Sequence, residues 1–264
     1  MEKFSARAFY LIGYALAAIH LAIAEEVMPT QYPVLEMDCS ASDALREKVG
    51  KQLSNVAEFC KSIDLDMSAN QASRLTDKLN GVISPNQIGT ETRHLKNLIS
   101  DEMKGKLFVY LPAGQAKFFG LQEPFGEEVA RKFPSASFDA GEAANCYATA
   151  RSTACVFHLM RVLEIGLTAL GKVFSVSLQH TNWAPAIDQI ESKIREMGKD
   201  PTWKGLPDWK DQQEFYAQAA SFLGVVKDAW RNYTAHARGR YTQDQAELMF
   251  MNVKAFMEKI AQRM

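Results

Sequence analysis

The sequence predicts an all-α protein in two parts, an N-terminal helical domain followed by a C-terminal helical bundle. Three observations lead there. Apolar residues recur at helical spacing through most of the 264 residues. The breaks between these stretches are short and carry Pro, Gly or Asn. One β-prone run, Lys106–Leu111, interrupts the pattern, so at most one short strand pair is expected.

The elements are taken in chain order. Residues 4–28 hold an apolar run of 17 residues, 8–24, and stop at Pro29 and Pro33. We read it as a buried first helix, because Tyr10, Gly13, Tyr14 and His20 interrupt the run and it is short for a membrane span. The competing reading is a cleaved signal peptide. Lys3 and Arg7 precede the run, and Ala22-Ile23-Ala24 has the small-x-small form of a cleavage site. A core helix implies a cytoplasmic protein with no membrane association, and a signal peptide implies a secreted or periplasmic one.

Residues 41–63 place Leu45, Val49, Leu53, Val56 and Phe59 or Cys60 on one helical face, with Ser40 or Ser42 available as the cap. A third helix near 68–81 stops at Asn80-Gly81. Pro85 and Asn86 open a fourth, which carries Ile88, Leu95, Leu98, Ile99 and Met103. These helices and the β-prone run make an N-terminal domain of residues 1–111. Residues 112–136 carry three prolines and three glycines, and read as a packed, irregular linker around a short helix at 125–132.

The bundle occupies 137–264. After a helix at 139–150, the nearly all-apolar run 152–171 reads as the central and most buried helix. Its ionisable residues, His158, Arg161 and Glu164, fall on a stripe about 120° wide. An amphipathic helix at 183–197 comes next, then a loop marked by Gly198, Pro201, Gly205 and Pro207. A helix at 210–230 presents Phe215, Ala219, Phe222, Val226 and Ala229 or Trp230, and the last helix runs from 243 to 264.

Composition excludes several classes. Thirty basic residues face 31 acidic ones, and the two halves of the chain are balanced as well, so this is no general nucleic-acid coat protein. The cysteines Cys39, Cys60, Cys146 and Cys155 contain no Cys-x-x-Cys pair, and we read them as reduced structural thiols. His94 and His180 stand alone and read as surface residues. There is no Gly-rich phosphate loop, His-Glu-x-x-His or Gly-x-Ser-x-Gly, and neither a metal nor a cofactor is expected.

Charge becomes informative locally. Residues 227–241 hold Lys227, Arg231, Arg238 and Arg240 against Asp228, a net +3, with His236, Tyr233 and Tyr241 interleaved. An arginine supplies bidentate donors for a phosphate and a nearby histidine supplies a proton site near neutral pH. The spacing Arg231-Asn232-Tyr-Thr-Ala-His236 is selective. Chance gives about 0.2 Arg-x4-His pairs in such a composition, and about 0.02 once a polar Asn, Asp or His must follow the arginine.

This stretch resembles the signature of the HEPN superfamily, helical-bundle domains found in toxins, RNA-targeting defence effectors and RNases. The resemblance covers residues 137–264. It implies that Arg231 and His236 form a catalytic pair, with Asn232 orienting them and Glu164 as the acidic residue from an earlier helix. His158 and Arg161 would support that residue, and Lys227, Tyr233, Arg238, Arg240 and Tyr241 would bind RNA. The implied reaction is metal-independent endoribonucleolytic cleavage by 2′-OH attack, in a homodimer formed through the bundle, by a toxin or phage-defence effector. The N-terminal domain would regulate it, choose its target or meet a regulatory protein partner. Some family members that accept a nucleotide carry Tyr two residues beyond the motif histidine. Arg238 stands there, which argues against that variant.

Plainer readings of the same residues exist. Arg231 at a helix C-terminus is favoured electrostatically, and a loop histidine is ordinary. The bundle would then be a non-catalytic dimerisation, RNA-binding or protein-binding module. Glu164 with Arg161 and His158 reads equally as a satisfied polar network.

Overall fold

A computed structural model describes residues 6–27, 40–177, 183–231 and 240–264, with Trp230 and Arg231 in their backbone alone. It is all-α, and no strand occurs among the described residues. Contacts divide the chain into two compact units, residues 1–109 and 110–264.

Four helices build the first unit: α1 (Ala6–Val27), α2 (Asp43–Ser62), α3 (Asp66–Lys78) and α4 (Pro85–Met103). They close a ring in which α1 packs on α2, α2 on α3, α3 on α4 and α4 on α1. The helical period explains the core. Leu45, Val49, Leu53, Val56 and Cys60 of α2 lie on one stripe and meet Ile12, Ile19, Ile88 and Leu95. Helix α1 buries one face there and leaves Tyr10, Tyr14 and Leu21 exposed. Both α1 and the later helix 152–173 are long and apolar enough to cross a membrane.

The ends of these helices are tied by side chains. Ser42, one of the two expected caps, accepts from the Leu45 N–H at 3.1 Å, while Glu26 of α1 accepts from the Ser42 N–H at 2.9 Å. Ser84 and Gln87 form a reciprocal capping box in front of Pro85. Helix α3 has no local side-chain cap. Its first amides are instead satisfied from the end of α4. The Glu102 carboxylate accepts from Met67 N–H at 3.1 Å, from Ser68 N–H at 2.7 Å, and from the Ser68 hydroxyl. Burial, aided by the Glu102 charge, pushes the Cys60 thiol up to about 12.

Removing Glu102 leaves the fully buried Ser68 hydroxyl and two helix-end amides without this acceptor. Glu102→Ala should cost about 1–3 kcal/mol. All four tryptophans (183, 203, 209 and 230) lie in the second unit. In urea, the helical circular dichroism of the variant should therefore lose an early fraction while its tryptophan fluorescence transition stays in place. An unshifted dichroism curve would show that the carboxylate holds nothing.

Residues 106–111 form neither helix nor strand, and Leu107 is 98% exposed. The second unit begins within this run. It contains α5 (Ala113–Ala116), α6 (Glu127–Lys132), a 3-10 turn at 134–136, α7 (Ser137–Ala148) and α8 (Ser152–Val173). Then come α9 (Trp183–Glu196), the single turn α10 (Pro201–Lys204), α11 (Trp209–Val226) and α12 (Gln243–Arg263). The segment read as a linker, 112–136, contributes core residues. Phe118 and Phe125 meet Phe250 of α12 edge-on at 5.4 and 5.3 Å, and Phe118 meets Tyr147 at 4.8 Å.

Helices α8 and α12 run in the same direction, with Ser152 bonded to Gln243 at one end and Gly166 beside Ile260 lower down. Gly166 sets how close they come. A methyl placed there would sit 3.0 Å from Phe256 and 3.2 Å from the Met257 sulfur. Helix α8, expected as the central and most buried helix, is buried along one side. Leu159, Leu163, Leu167 and Leu170 are fully buried, but Thr153, Phe157, Arg161 and Lys172 are exposed. Neighbouring helices cover one side of α8, and its apolar content extends onto the uncovered side.

Candidate functional site

The motif begins where α11 ends. Residues Lys227–Arg231 continue α11 as one π-helical turn. Of the two residues expected as alternatives on the core face, Ala229 lies within this π turn and is exposed, while the side chain of Trp230 lies outside the described residues. Arg231 closes this turn. Asn232, Tyr233, His236 and Arg238 lie outside the described residues.

The chain is described again from Arg240, which is exposed. Its neighbour Tyr241 differs from expectation. It is 8% exposed and belongs to the core, and its N–H donates to Thr153 Oγ1 at 3.2 Å. Thr242 then caps α12 in a capping box with Gln245. Tyr241 is thereby fixed beside the start of α8. Lys227 spends its charge on its neighbour Asp228, at 3.1 Å.

The polar stripe of α8 is assembled differently from the sequence reading. Arg161 Nε donates to Asp139 Oδ1 of α7 at 2.8 Å, and His158 Nδ1 lies 2.8 Å from the same oxygen. Asp139 is 4% exposed, so its carboxylate is a buried charge held by two partners on the next helix. The bond to Asp139, then its charge, then that of Glu164, raise the Arg161 pKa above its already high value. Glu164 itself is half-buried, and its carboxylate makes no hydrogen bond or ion pair among the described residues. The carboxylate that gathers the stripe is Asp139, which the sequence reading did not single out. The signal was present, since Asp139 shares the helical face of Ala143 and Tyr147, where an acid needs a partner.

Positions along α8 relate these parts. Taking Thr153 as origin, Phe157 lies about 6 Å along the axis, Arg161 about 12 Å and Glu164 about 16 Å. Glu164 is therefore the most distant of them from Thr153, to which Tyr241 is bonded. An open groove of about 560 Å³ between Lys132, Phe133, Ile165 and Lys172 lies toward the opposite end of α8 and contains none of the motif residues.

The three described cysteines are free. Burial pushes Cys155 up to about 12 and raises Cys146, so neither is set up as a nucleophile. His94 is exposed, while Cys39 and His180 lie outside the described residues. Among the described residues no group of three His, Cys, Asp or Glu side chains is placed to hold a metal ion. In comparisons with family models, curated proteins and solved structures, nothing matches the chain.

Proposed function

We propose that the chain is a metal-independent endoribonuclease of the HEPN type, with its chemistry in the second unit. The observation that carries this is the position of Arg231-Asn232-x3-His236. Its first residue, Arg231, closes a π-helical turn at the end of a long bundle helix, and Tyr241, five residues after His236, is bonded to Thr153 near the head of α8. π turns are frequent at functional sites.

In this reading His236 takes the proton from a ribose 2′-OH, or gives one to the departing 5′ oxygen. Arg231 stabilises the charge that builds on the phosphorane oxygens. The reaction leaves a 2′,3′-cyclic phosphate and a 5′-hydroxyl, and DNA lacks the attacking group. A homodimer supplies two His236 side chains, one as base and one as acid. Asp139, rather than Glu164, is the supporting carboxylate, because it fixes His158 and Arg161 on α8. The first unit regulates the second or selects its target, as in a toxin or phage-defence effector.

The test is an RNA-cleavage assay in EDTA, read by product ends. The wild-type protein should cut RNA to cyclic-phosphate termini and leave DNA of the same sequence intact. Loss of cleavage in EDTA would overturn the metal-independent mechanism. An inert wild type that still binds RNA would make the bundle a binding module.

A further inference from the structure

The outer stripe of α8 has features that cleavage chemistry alone does not require. Phe157 is 51% exposed, and its ring meets that of His158 edge-on at 5.9 Å. Two residues on one turn are anchored from below by the same buried acid. Arg161 is held through Nε and His158 through Nδ1, both by Asp139. That leaves the two terminal nitrogens of Arg161 and Nε2 of His158 without a protein partner among the described residues. A guanidinium fixed by its Nε keeps its outer fork free for a second, planar acceptor.

At the head of the helix stand two more arginines. Arg151 precedes Ser152, and Arg240 precedes Tyr241, whose N–H reaches Thr153. Both are exposed, and neither guanidinium has a hydrogen-bond or ion-pair partner among the described residues. Arg151 and Arg161 are ten residues apart, about 15 Å along the axis. One phosphate cannot bridge that distance, but successive phosphates of an extended strand can. Glu164, one turn beyond Arg161, closes the stripe with a charge that repels a polyanion.

We propose that this stripe binds an unpaired RNA strand. Phe157 stacks on a base, Arg161 with His158 takes one backbone phosphate, and Arg151 with Arg240 takes another. Asp139 is a positioning residue that presents Arg161 and His158. The inference rests on the ribonuclease reading for its ligand and narrows it to single-stranded RNA. An exposed phenyl ring between arginines serves a splayed base, whereas the bases of a duplex are already stacked on each other.

Binding can be read without cleavage. A short fluorescein-labelled oligoribonucleotide with 2′-O-methyl groups lacks the attacking hydroxyl, and anisotropy reports its affinity for the full chain. Phe157→Ala should weaken single-strand binding about tenfold and leave its salt dependence unchanged. Arg151→Ala should flatten the slope of log affinity against log salt by about 0.7, the loss of one phosphate contact. Neither exposed substitution should move the unfolding curve, so a lesion of the fold would be recognised. The same oligonucleotide annealed to its complement should bind more weakly than the single strand.

Affinities that ignore both substitutions, equal binding of the duplex, or no binding at all would overturn the inference. The two readings fail separately. Wild-type cleavage with binding indifferent to Phe157 and Arg151 sinks the stripe alone. Phe157-dependent binding by a protein that never cuts RNA sinks the nuclease alone.

Discussion

Arg231→Ala and His236→Ala are each expected to slow RNA cleavage by roughly 10²–10⁴-fold, with unfolding curves unchanged. In the proposed mechanism the arginine's share is charge stabilisation in the transition state, for which losing one donor costs about 10²–10³-fold. The histidine's share in it is a proton transfer that water at neutral pH performs poorly. The double variant should be little worse than the weaker single one, because each half is useless without the other. Arg231→Lys is the informative intermediate. It keeps the charge, loses the two-pronged donor, and should recover a minor part of the rate. Rates measured as single turnovers separate this from an effect on RNA binding. Two alanine variants that cut as fast as the wild type would remove the motif from the mechanism.

Phe250→Ala is the largest stability loss expected, about 3–5 kcal/mol. Phe250 is 1% exposed, touches Phe118 and Phe125 edge-on, and lies tilted against Tyr147 at 6.1 Å. Truncation removes the ring that α12 shares with both the 112–136 segment and α7, and the neighbours are too large to collapse into the gap. Domains are stable by about 5–15 kcal/mol, so the variant should leave the second unit close to unfolding. Tryptophan fluorescence should lose its native signal at much lower urea, while the dichroism fraction owed to the first unit holds. A shift below about 1 kcal/mol would show that Phe250 is not the hub of that aromatic group.

Much of the architecture is legible in the residues because its causes are local. The stripe Leu45–Cys60 and the Ser84-Pro85 start are written in spacing and capping chemistry, and the helices form where they indicate. What escapes is set by neighbours distant in sequence. Residues 112–136 read as a packed, irregular linker, but which rings Phe118 and Phe125 pack against is set by Tyr147 of α7 and Phe250 of α12. The apolar run of α8 says nothing about how many sides will be covered. The phase of α11 keeps to the helical period through Val226, and the change to a π turn at Lys227–Arg231 is not written in that period.

The site divides in the same way. Arg231 and His236 are proposed from their interval and the Asn232 that follows the arginine. His158 and Arg161 are found as charges on an apolar helix, but their partner is not, since the nearer carboxylate in sequence is Glu164 and the nearer one in space is Asp139. Tyr241 shows the opposite error. A tyrosine among arginines reads as a ligand contact, and the start of α12 instead turns it inward.

The cap that α3 borrows from Glu102 also governs how the first unit opens. A helix capped by its own neighbours frays one amide at a time. The first turn of α3 is closed by a residue 34 positions further on than Ser68, so it stays closed while α4 is docked and is released when α4 leaves. Hydrogen exchange at the Met67 and Ser68 amides should therefore keep time with the detachment of α4. Two helices adjacent in the chain become a single cooperative element, and a carboxylate at the end of one is the latch for the beginning of the other.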